Sequence, residues 1–181
     1  MTTYRGSIEF LLLDVDGVLT DGSVIVDGQS EIVKAFNVRD GLAIALLRAH
    51  GIRTGVLSGK SSAPLDYRIR QLGIDFAVTG KLHKREGLAE ILRQAAVEPA
   101  AVAYVGDDVV DLPLAGTVGA FYAVEDAHHL VRSAADHVLA APGGRGAARE
   151  AAEHILITGG LTLKEAYAPL MDSWERHGAQ Q

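Results

Sequence analysis

The chain alternates between short, mostly apolar runs and longer amphipathic stretches over most of its length. Six short runs are typical of buried strands: 8–13, 54–57, 76–78, 102–105, 120–123 and 136–139. Helical spacing of apolar residues predicts helices over 39–50, 63–72, 84–95, 109–115, 127–133 and 146–156, and a terminal helix from Thr162. Repeated strand–helix units predict an α/β fold, a Rossmann-like parallel sheet with helices on both faces.

Residues 18–36 interrupt this alternation. Two β-like stretches, 23–26 and 31–34, flank Asp27-Gly28, which predicts a β-hairpin with a type I′ turn. The hairpin follows the first strand, so we expect it to project as a flap beside that strand's end. No repeat or long linker divides the chain, and we expect a single domain over residues 1–181, with a core of about 8–157 and a tail of 158–181.

Composition narrows the function classes. The 181 residues are 48% hydrophobic and 22% charged, which is typical of a globular protein. A net charge of −6 argues against broad binding to nucleic acid or to an anionic membrane, and the lack of cysteine excludes disulfides and thiolate chemistry. No run approaches the roughly 18 apolar residues of a membrane helix, and no apolar segment opens the chain. We therefore expect a cytoplasmic protein.

Carboxylates follow two of the predicted strands. Asp14 and Asp16 come after the run 8–13, and the run 102–105 is followed by Asp107, Asp108 and Asp111. The carboxyl ends of parallel strands share one sheet edge, where such folds bind ligands. Clustered carboxylates repel one another unless a cation neutralises them, and oxygen ligands suit Mg²⁺. The pattern predicts Mg²⁺-dependent phosphoryl transfer.

The spacing of the first pair fits that chemistry. One carboxylate of Asp14 and Asp16 can attack phosphorus while the other donates a proton to the leaving alkoxide, and Gly17 lets the chain turn away. The alternative is that both residues serve only as turn and helix-cap residues. Neither motif alone is specific, but the two acidic motifs together favour the catalytic interpretation.

Two further segments lie between the acidic motifs. Ser58-Gly59 ends the run 54–57, where a hydroxyl and nearby amides can hold a phosphoryl oxygen at the start of the next helix. The alternative is a simple helix cap. Lys84 opens a predicted helix, where its ammonium can balance the carboxylates and the phosphoryl group. The alternative is an ordinary solvated lysine.

The ordered motifs resemble those of haloacid dehalogenase superfamily phosphatases: Asp14-Val15-Asp16-Gly17, Ser58, Lys84 and Gly106-Asp107-Asp108-x-x-Asp111. More narrowly, other segments resemble the 3-deoxy-D-manno-octulosonate 8-phosphate phosphatase family. These are Asp21-Gly22, the stretch 34–42 (KAFNVRDGL), Arg68 with Leu72-Gly73-Ile74, and the stretch 143–150 (GGRGAARE). The resemblance covers roughly residues 8–157.

The resemblance implies a capless, Mg²⁺-dependent phosphatase of lipopolysaccharide biosynthesis. It further implies a homotetramer with the hairpin flap at the subunit interface, where a neighbouring subunit helps to close the site. By position, Asp14 is the nucleophile and a metal ligand, and Asp16 is the acid/base whose main-chain carbonyl also meets the metal. The remaining roles are a third metal ligand (Asp107), orienting carboxylates (Asp108, Asp111) and phosphate binding (Ser58, Gly59, Lys84).

The implied substrate carries a carboxylate remote from its phosphate. Basic residues that could bind it are Arg68, Arg39, Lys34 and Arg149, with Asp16 as a further substrate contact, although each arginine or lysine could be an ordinary surface ion pair. The same chemistry on a nonulosonate 9-phosphate or another small phosphomonoester is the main alternative. A non-enzymatic phosphoacceptor module is the remote alternative. In such modules the acceptor aspartate follows the third strand, whereas in this chain Asp14 and Asp16 follow the first.

Three other features carry weaker expectations. The stretch 143–146 is either a mobile loop that approaches a neighbour's site, which we favour, or a turn that leads into a helix. The tail is expected to add a helix that packs on the core or on another subunit. Without an identifiable partner in the sequence, His128, His129 and His154 are expected to be surface or helix-face histidines.

Overall fold

The described residues of the computed structural model, 4–27 and 31–178, form a parallel sheet with flanking helices and a separate two-stranded ribbon. The strands are β1 Phe10–Leu13, β2 Ile25–Val26, β3 Glu31–Val33, β4 Arg53–Leu57, β5 Phe76–Val78, β6 Val102–Gly106, β7 Ala120–Ala123 and β8 His137–Val138. The α-helices are α1 Val38–Arg48, α2 Ala63–Leu72, α3 Lys84–Ala95, α4 His129–Ala134, α5 Ala147–Thr158 and α6 Leu163–Gly178. Two 3-10 helices lie at Pro99–Ala101 and Val109–Leu114.

The main sheet has the strand order β5-β4-β1-β6-β7-β8, and each neighbouring pair is parallel. Strand β1 lies between β4 and β6, so Leu13 pairs with Val56 on one side and with Val105 on the other. The strand order changes direction at this point, and such switch points leave a crevice beyond the carboxyl ends of the strands. The predicted α/β parallel sheet is confirmed.

The helices form two packed groups. Helices α1, α5 and α6 contact one another, whereas α3 and α4 each contact the 3-10 helix Val109–Leu114. Both groups also contact strands of the sheet, so the sheet has a helical layer on each face. The centre is fully apolar: all four residues of β1 are inaccessible to solvent, as a strand covered on both faces requires.

Most predicted bounds agree with the structure to within two residues, and those of α2, α3, β5 and β7 agree at both ends. The predicted helix over 109–115 is instead a 3-10 helix, because in an α-helix the ring of Pro113 would clash with the carbonyl of Val109, four residues earlier. Helix α4 begins at His129 rather than at 127, since the His128 ring accepts a hydrogen bond from the Leu130 amide and caps the helix.

The interruption after β1 is a β-hairpin. Strands β2 and β3 pair antiparallel, with Ile25 opposite Val33 and Val26 opposite Glu31, and the register shifts between the two pairs. Strand β2 ends at Val26 and β3 begins at Glu31. The type I′ turn predicted at Asp27-Gly28 includes Gly28, which lies outside the described residues.

The tail packs on the core of the same chain. A capping box begins α6, where the Thr162 amide donates to Glu165 (2.8 Å) and the Glu165 amide donates to the Thr162 hydroxyl (3.3 Å). Ala166 and Leu170 are buried against α1 and α5, whereas Trp174 is half exposed. None of the helices in the described ranges is long and apolar enough to cross a membrane.

His154 is a half-buried histidine on a face of α5, as expected, but it has partners that the sequence did not indicate. The His154 ring accepts or donates a hydrogen bond with the Tyr122 hydroxyl (3.0 Å) and stacks on the His137 ring at 4.0 Å. Both partners lie on neighbouring strands, 32 and 17 positions away in the sequence, so the sequence pattern does not reveal them. His128 and His129 are exposed, as expected.

Candidate active site

The two acidic motifs meet at the carboxyl edge of adjacent strands. Asp14 directly follows β1, and its amide donates to the Val105 carbonyl of β6 at 3.0 Å. The Val15 amide donates in turn to Asp14 Oδ1 at 2.7 Å, which fixes the carboxylate. Asp107 follows β6. A Cβ at Gly17 would overlap the Asp107 carboxylate, so glycine at this position lets the two loops approach closely.

Lys84 lies at the centre of the acidic cluster. Its Nζ contacts Asp14 Oδ2 at 2.8 Å and Asp111 Oδ1 at 3.0 Å, and it donates to the Leu57 carbonyl and the Tyr104 hydroxyl, each at 3.0 Å. The residue begins α3 and is 3% exposed, so the solvated alternative is wrong. The ammonium is instead a buried counter-charge to two carboxylates.

Asp111 organises the second acidic motif. It is fully buried, and all of its described partners donate to it. The Asp107 and Asp108 amides bond Oδ2 at 3.0 and 3.3 Å, and the Tyr104 hydroxyl bonds Oδ1 at 2.6 Å. Asp108 caps the following 3-10 helix: its exposed carboxylate accepts a hydrogen bond from the Val109 amide through Oδ1 at 2.7 Å.

Tyr104 belongs to the acidic site, although the sequence pattern did not indicate a role for it. It is fully buried in β6, where its ring stacks on Phe121 and its hydroxyl bridges Lys84 and Asp111. Burial and then the charges of Asp14 and Asp111 hold the pKa of Tyr104 well above its ordinary value, so the hydroxyl stays protonated. A tyrosine inside an otherwise aliphatic buried run is the signal that marks it, because a buried phenol needs a polar partner.

The electrostatics of the metal-free cluster favour protonated carboxyls. Burial and the nearby Asp111 charge raise the pKa of Asp14 to about 7, against the opposing effect of Lys84. Burial and the charges of Asp14, Asp111 and Asp108 raise the pKa of Asp107 to about 8. Burial alone lowers the pKa of Lys84, but its carboxylate partners outweigh this and the pKa is raised. The acidic excess makes the cluster receptive to another cation.

The donor set fits a hard divalent ion. Carboxylate oxygens of Asp14, Asp107 and Asp111 lie within 4.8 Å of one another. The oxygens of Asp111 already accept from Lys84, Tyr104 and two amides, so Asp14 and Asp107 are the members best able to bind a metal. Oxygen-only ligation of this kind suits Mg²⁺.

Asp16 has a different partner from the other aspartates. Its Oδ1 accepts a hydrogen bond from Lys34, which also contacts Glu31 Oε1 at 2.9 Å. Burial lowers the pKa of Lys34, but hydrogen bonds to its two carboxylate partners outweigh this effect and raise it. The Lys34 ammonium is thus already paired with two carboxylates, and its binding of a substrate carboxylate stays a prediction.

A pocket of about 270 Å³ opens over the cluster. Its lining includes Asp14, Asp16, Gly22, Gly59, Lys60, Leu82, Lys84, Asp107, Asp108 and Val110. Acidic groups therefore line one part of the pocket, while Gly59, Lys60 and Lys84 provide amide and ammonium donors. Such a mixed lining suits a phosphate ester bound together with a cation.

Ser58 borders this region without lining the pocket. It is buried at the end of β4, where its hydroxyl accepts from the Lys60 amide at 3.2 Å. Helix α2 begins only at Ala63 with Ser62 as its N-cap, so both the helix-cap alternative and the predicted placement of Ser58 at that helix terminus are wrong.

The predicted arginines lie elsewhere within this chain. Arg39, Arg68 and Arg149 line a second pocket of about 380 Å³. In that pocket, Arg68 donates to the Asn37 carbonyl at 3.2 Å, and Arg149 donates to Glu153 at 3.0 Å. The structure therefore brings the three arginines together but does not join them to the lining of the catalytic pocket.

The stretch 143–146 is a turn that leads into α5, and our preference for a mobile loop is wrong. The Gly144 amide donates to the Val18 carbonyl at 2.8 Å, and a Cβ at Gly143 would overlap the main chain of Gly17. Buried Asp40 accepts from the amides of Gly146 (3.1 Å) and residue 148 (2.9 Å) at the start of α5. The stretch is thus fixed against the loop that carries Asp16.

Comparison with known proteins agrees with the fold. Residues 28–119 match the family model of haloacid dehalogenase-like hydrolases. The chain is 46% identical over 150 residues to the 3-deoxy-D-manno-octulosonate 8-phosphate phosphatase of Haemophilus influenzae, covering 83% of each chain. It is 40% identical over 154 residues to the enzyme of that name from Escherichia coli K12, covering 85% of this chain and 82% of the relative.

Solved structures give the same result. The cobalt-bound phosphatase of this type from Haemophilus influenzae has a TM-score of 0.82 and 45% identity, covering 85% of this chain and 90% of that one. A Moraxella catarrhalis phosphatase in complex with magnesium, phosphate and KDO has a TM-score of 0.80 and 34% identity, covering 85% and 88%.

The fold and the acidic site place this protein in the class of haloacid dehalogenase-like hydrolases. Within that class, the chain belongs to the 3-deoxy-D-manno-octulosonate 8-phosphate phosphatase family, and it is a phosphomonoester hydrolase.

Proposed function

We propose that the protein hydrolyses 3-deoxy-D-manno-octulosonate 8-phosphate to the free sugar acid and phosphate, with Mg²⁺ as cofactor. The observation that carries the proposal is the Asp14 carboxylate, buried beside Lys84 and Asp107 at the edge of two adjoining parallel strands. Support for the substrate comes from the relatives named above, whose chains are matched over more than four-fifths of their length.

The first chemical step is transfer of the phosphoryl group to the protein. Asp14 attacks phosphorus through a carboxylate oxygen, the ester P–O bond breaks, and the departing alkoxide takes a proton from Asp16. Lys84 contacts Asp14 Oδ2 directly, so its ammonium is close enough to pair with a phosphoryl oxygen near that atom. The product of this step is an aspartyl phosphate.

The second step returns Asp14 to its starting state. Asp16, now a carboxylate, takes a proton from water as the water attacks phosphorus, and the bond between Asp14 and phosphorus breaks. Both steps leave atoms and protons balanced. Asp16 therefore acts as an acid and then as a base, which requires its carboxyl group to face the reacting oxygen in both steps.

Metal and phosphate binding divide between two sets of residues in this proposal. Asp14, Asp107 and the main-chain carbonyl of Asp16 would hold Mg²⁺, which supplies the positive charge that lets a carboxylate approach an anionic phosphate. Asp111 and Asp108 position Lys84 and the loop that carries Asp107. Phosphate is bound by Lys84, Ser58 and the Gly59 amide.

Recognition of the sugar acid is assigned to the second pocket in an assembled oligomer. Arg68, with Arg39 and Arg149, would receive the carboxylate of a substrate held by a neighbouring subunit. In support, the flap hairpin exposes apolar side chains that a homotetramer interface would cover, namely Val24, Ile25, Val26 and Val33. We further propose a single domain over residues 1–181 that acts in the cytoplasm in lipopolysaccharide biosynthesis.

A panel of phosphomonoesters tests the substrate. We expect kcat/KM to be highest for the octulosonate 8-phosphate, and activity to disappear with EDTA and return with Mg²⁺. Preference for a nonulosonate 9-phosphate or another ester would replace the proposed substrate while keeping the chemistry. Hydrolysis of none of them, with a stable phosphoprotein in its place, would favour the phosphoacceptor module.

The Asp14→Asn variant tests the nucleophile. It removes the attacking oxygen with little change of shape, so turnover should be lost while the circular dichroism spectrum is unchanged. Glu90→Gln is a matched control, because Glu90 pairs with the partly exposed Lys81 and lies outside the pocket lining. Residual hydrolysis above about 1% of wild type would refute the assignment of Asp14.

The Arg68→Ala variant tests sugar-acid recognition. KM should rise for the sugar-acid phosphate and stay unchanged for an aryl phosphate that lacks a carboxylate. Arg70→Ala, on the same helix and outside the lining of that pocket, serves as the control. An equal rise of KM for both substrates would remove Arg68 from the proposed carboxylate site.

A further inference from the structure

Lys34 connects the flap hairpin to the catalytic pocket. It directly follows β3, and its side chain is only 1% exposed. A lysine side chain is rarely buried to this extent unless its ammonium group is paired. Both of its partners are acidic: Glu31 on β3 and Asp16 on the loop after β1. The ion pair therefore spans two segments that are otherwise separated by 18 positions in the sequence.

The contact restricts the Asp16 side chain. Lys34 occupies Oδ1, and Asp16 also lines the pocket with 26% of its side chain exposed. A charge-assisted hydrogen bond to one carboxylate oxygen fixes the plane of the group and leaves the other oxygen for a second partner. Glu31 contacts the same ammonium at 2.9 Å and thereby limits where Lys34 itself can move.

We propose that Lys34 is a positioning residue that aims Asp16 at the leaving oxygen, so that the flap hairpin takes part in the chemical step. The inference rests on the proposed function, in which Asp16 protonates the alkoxide. Orientation of an acid matters most when the leaving group is a poor one, because such a group cannot depart without a proton. Lys34 therefore affects an alkyl ester far more than an aryl ester.

The test compares two leaving groups in the full-length protein with saturating Mg²⁺. In Lys34→Met we expect kcat/KM, which reports phosphoryl transfer to Asp14 and not the later hydrolysis common to all esters, to fall about tenfold to a hundredfold for an alkyl phosphate and less than about threefold for p-nitrophenyl phosphate. Lys34→Arg should recover part of the loss, since it keeps a donor. Lys81→Met removes another ion-paired lysine, outside the pocket lining, and should match wild type on both substrates.

Two outcomes would overturn the proposal. One is an equal fall of kcat/KM on both esters, which indicates general disruption of the site. The other is additivity in the Asp16→Asn background: if Lys34 acts through Asp16, Lys34→Met should cost nothing further there, and a second full loss would contradict that.

A spectroscopic measurement keeps this proposal separate from the proposed function. In ¹H–¹⁵N spectra of lysine ammonium groups, the Lys34 signal should shift strongly in Asp16→Asn and be unchanged in Glu90→Gln. This result does not depend on turnover. If the protein hydrolyses no ester, the proposed function is refuted, but the spectrum still shows whether Lys34 contacts Asp16 in solution. An unshifted Lys34 signal in Asp16→Asn would refute the positioning role.

Discussion

Replacing Asp111 with asparagine tests how the acidic site is held together. Four donors converge on this buried carboxylate: the Lys84 ammonium, the Tyr104 hydroxyl, and the amides of Asp107 and Asp108. Asparagine has nearly the same shape but offers one acceptor oxygen and one NH₂ group. In either orientation the NH₂ group therefore faces two donors.

The cost follows from the groups left without acceptors. An unsatisfied buried polar group costs about 1–3 kcal/mol, and two donors lose their acceptor on one side of the amide. Lys84 also loses one of its two carboxylate partners. We expect a loss of about 3–5 kcal/mol in the free energy of unfolding, the range found when a buried ion pair is broken. For a chain of this size the melting temperature falls by roughly 6–20 °C.

Urea denaturation with saturating Mg²⁺ measures the effect. The metal is needed because, without it, the substitution also relieves repulsion with Asp14 and Asp107 and part of the cost is hidden. Asp108→Asn is the matched control, since Asp108 is exposed and asparagine is an equally good cap. A loss below about 1 kcal/mol for Asp111→Asn, or equal losses for the two variants, would refute the reasoning.

Three further predictions concern the same region. Because the pKa values of Asp14 and Asp107 are raised to about 7 and about 8, the folded metal-free protein binds more protons than the unfolded chain between about pH 4 and 8. Its stability in EDTA should therefore fall as pH rises through that window, and a rise in urea denaturation midpoints would contradict this. Tyr104→Phe removes the hydroxyl bridge and should lower kcat about tenfold, whereas Tyr122→Phe on the next strand should not; equal activity of both in steady-state assays would exclude a contribution of the bridge to turnover. Gly143→Ala places a Cβ on the main chain after β1 and should cost about 1–3 kcal/mol in thermal unfolding, and an unchanged melting temperature would show that the loops separate easily.

The sequence was sufficient for the sheet, for most helix boundaries and for the meeting of the two acidic motifs. The limits of α2 follow from local signals: Pro64 in the first turn and Gly73 in the left-handed conformation at the end. The convergence of Asp14 and Asp107 was predictable from two buried apolar runs, because the loops after neighbouring parallel strands lie at one edge of the sheet.

The side-chain partners were not predictable in the same way. The contact of Lys34 with Asp16 depends on the path of the hairpin, and nothing local in the sequence specifies that path. The hydroxyl of Tyr104 reaches Asp111 because the chain turns back after β6, a tertiary feature. The three arginines were predicted as carboxylate contacts from their place in the family pattern, and the sequence does not show that α1, α2 and α5 carry them to a separate pocket.

The contact between Asp40 and the start of α5 joins positions more than 100 residues apart. On the ribosome, β1 and its aspartates emerge more than 100 residues before the glycine turn that packs on their loop. The loop that carries Asp16 therefore completes its set of contacts only after that turn has been synthesised. A nascent or prematurely terminated chain would carry all the aspartates of the site and still lack the support that holds Asp16 in place.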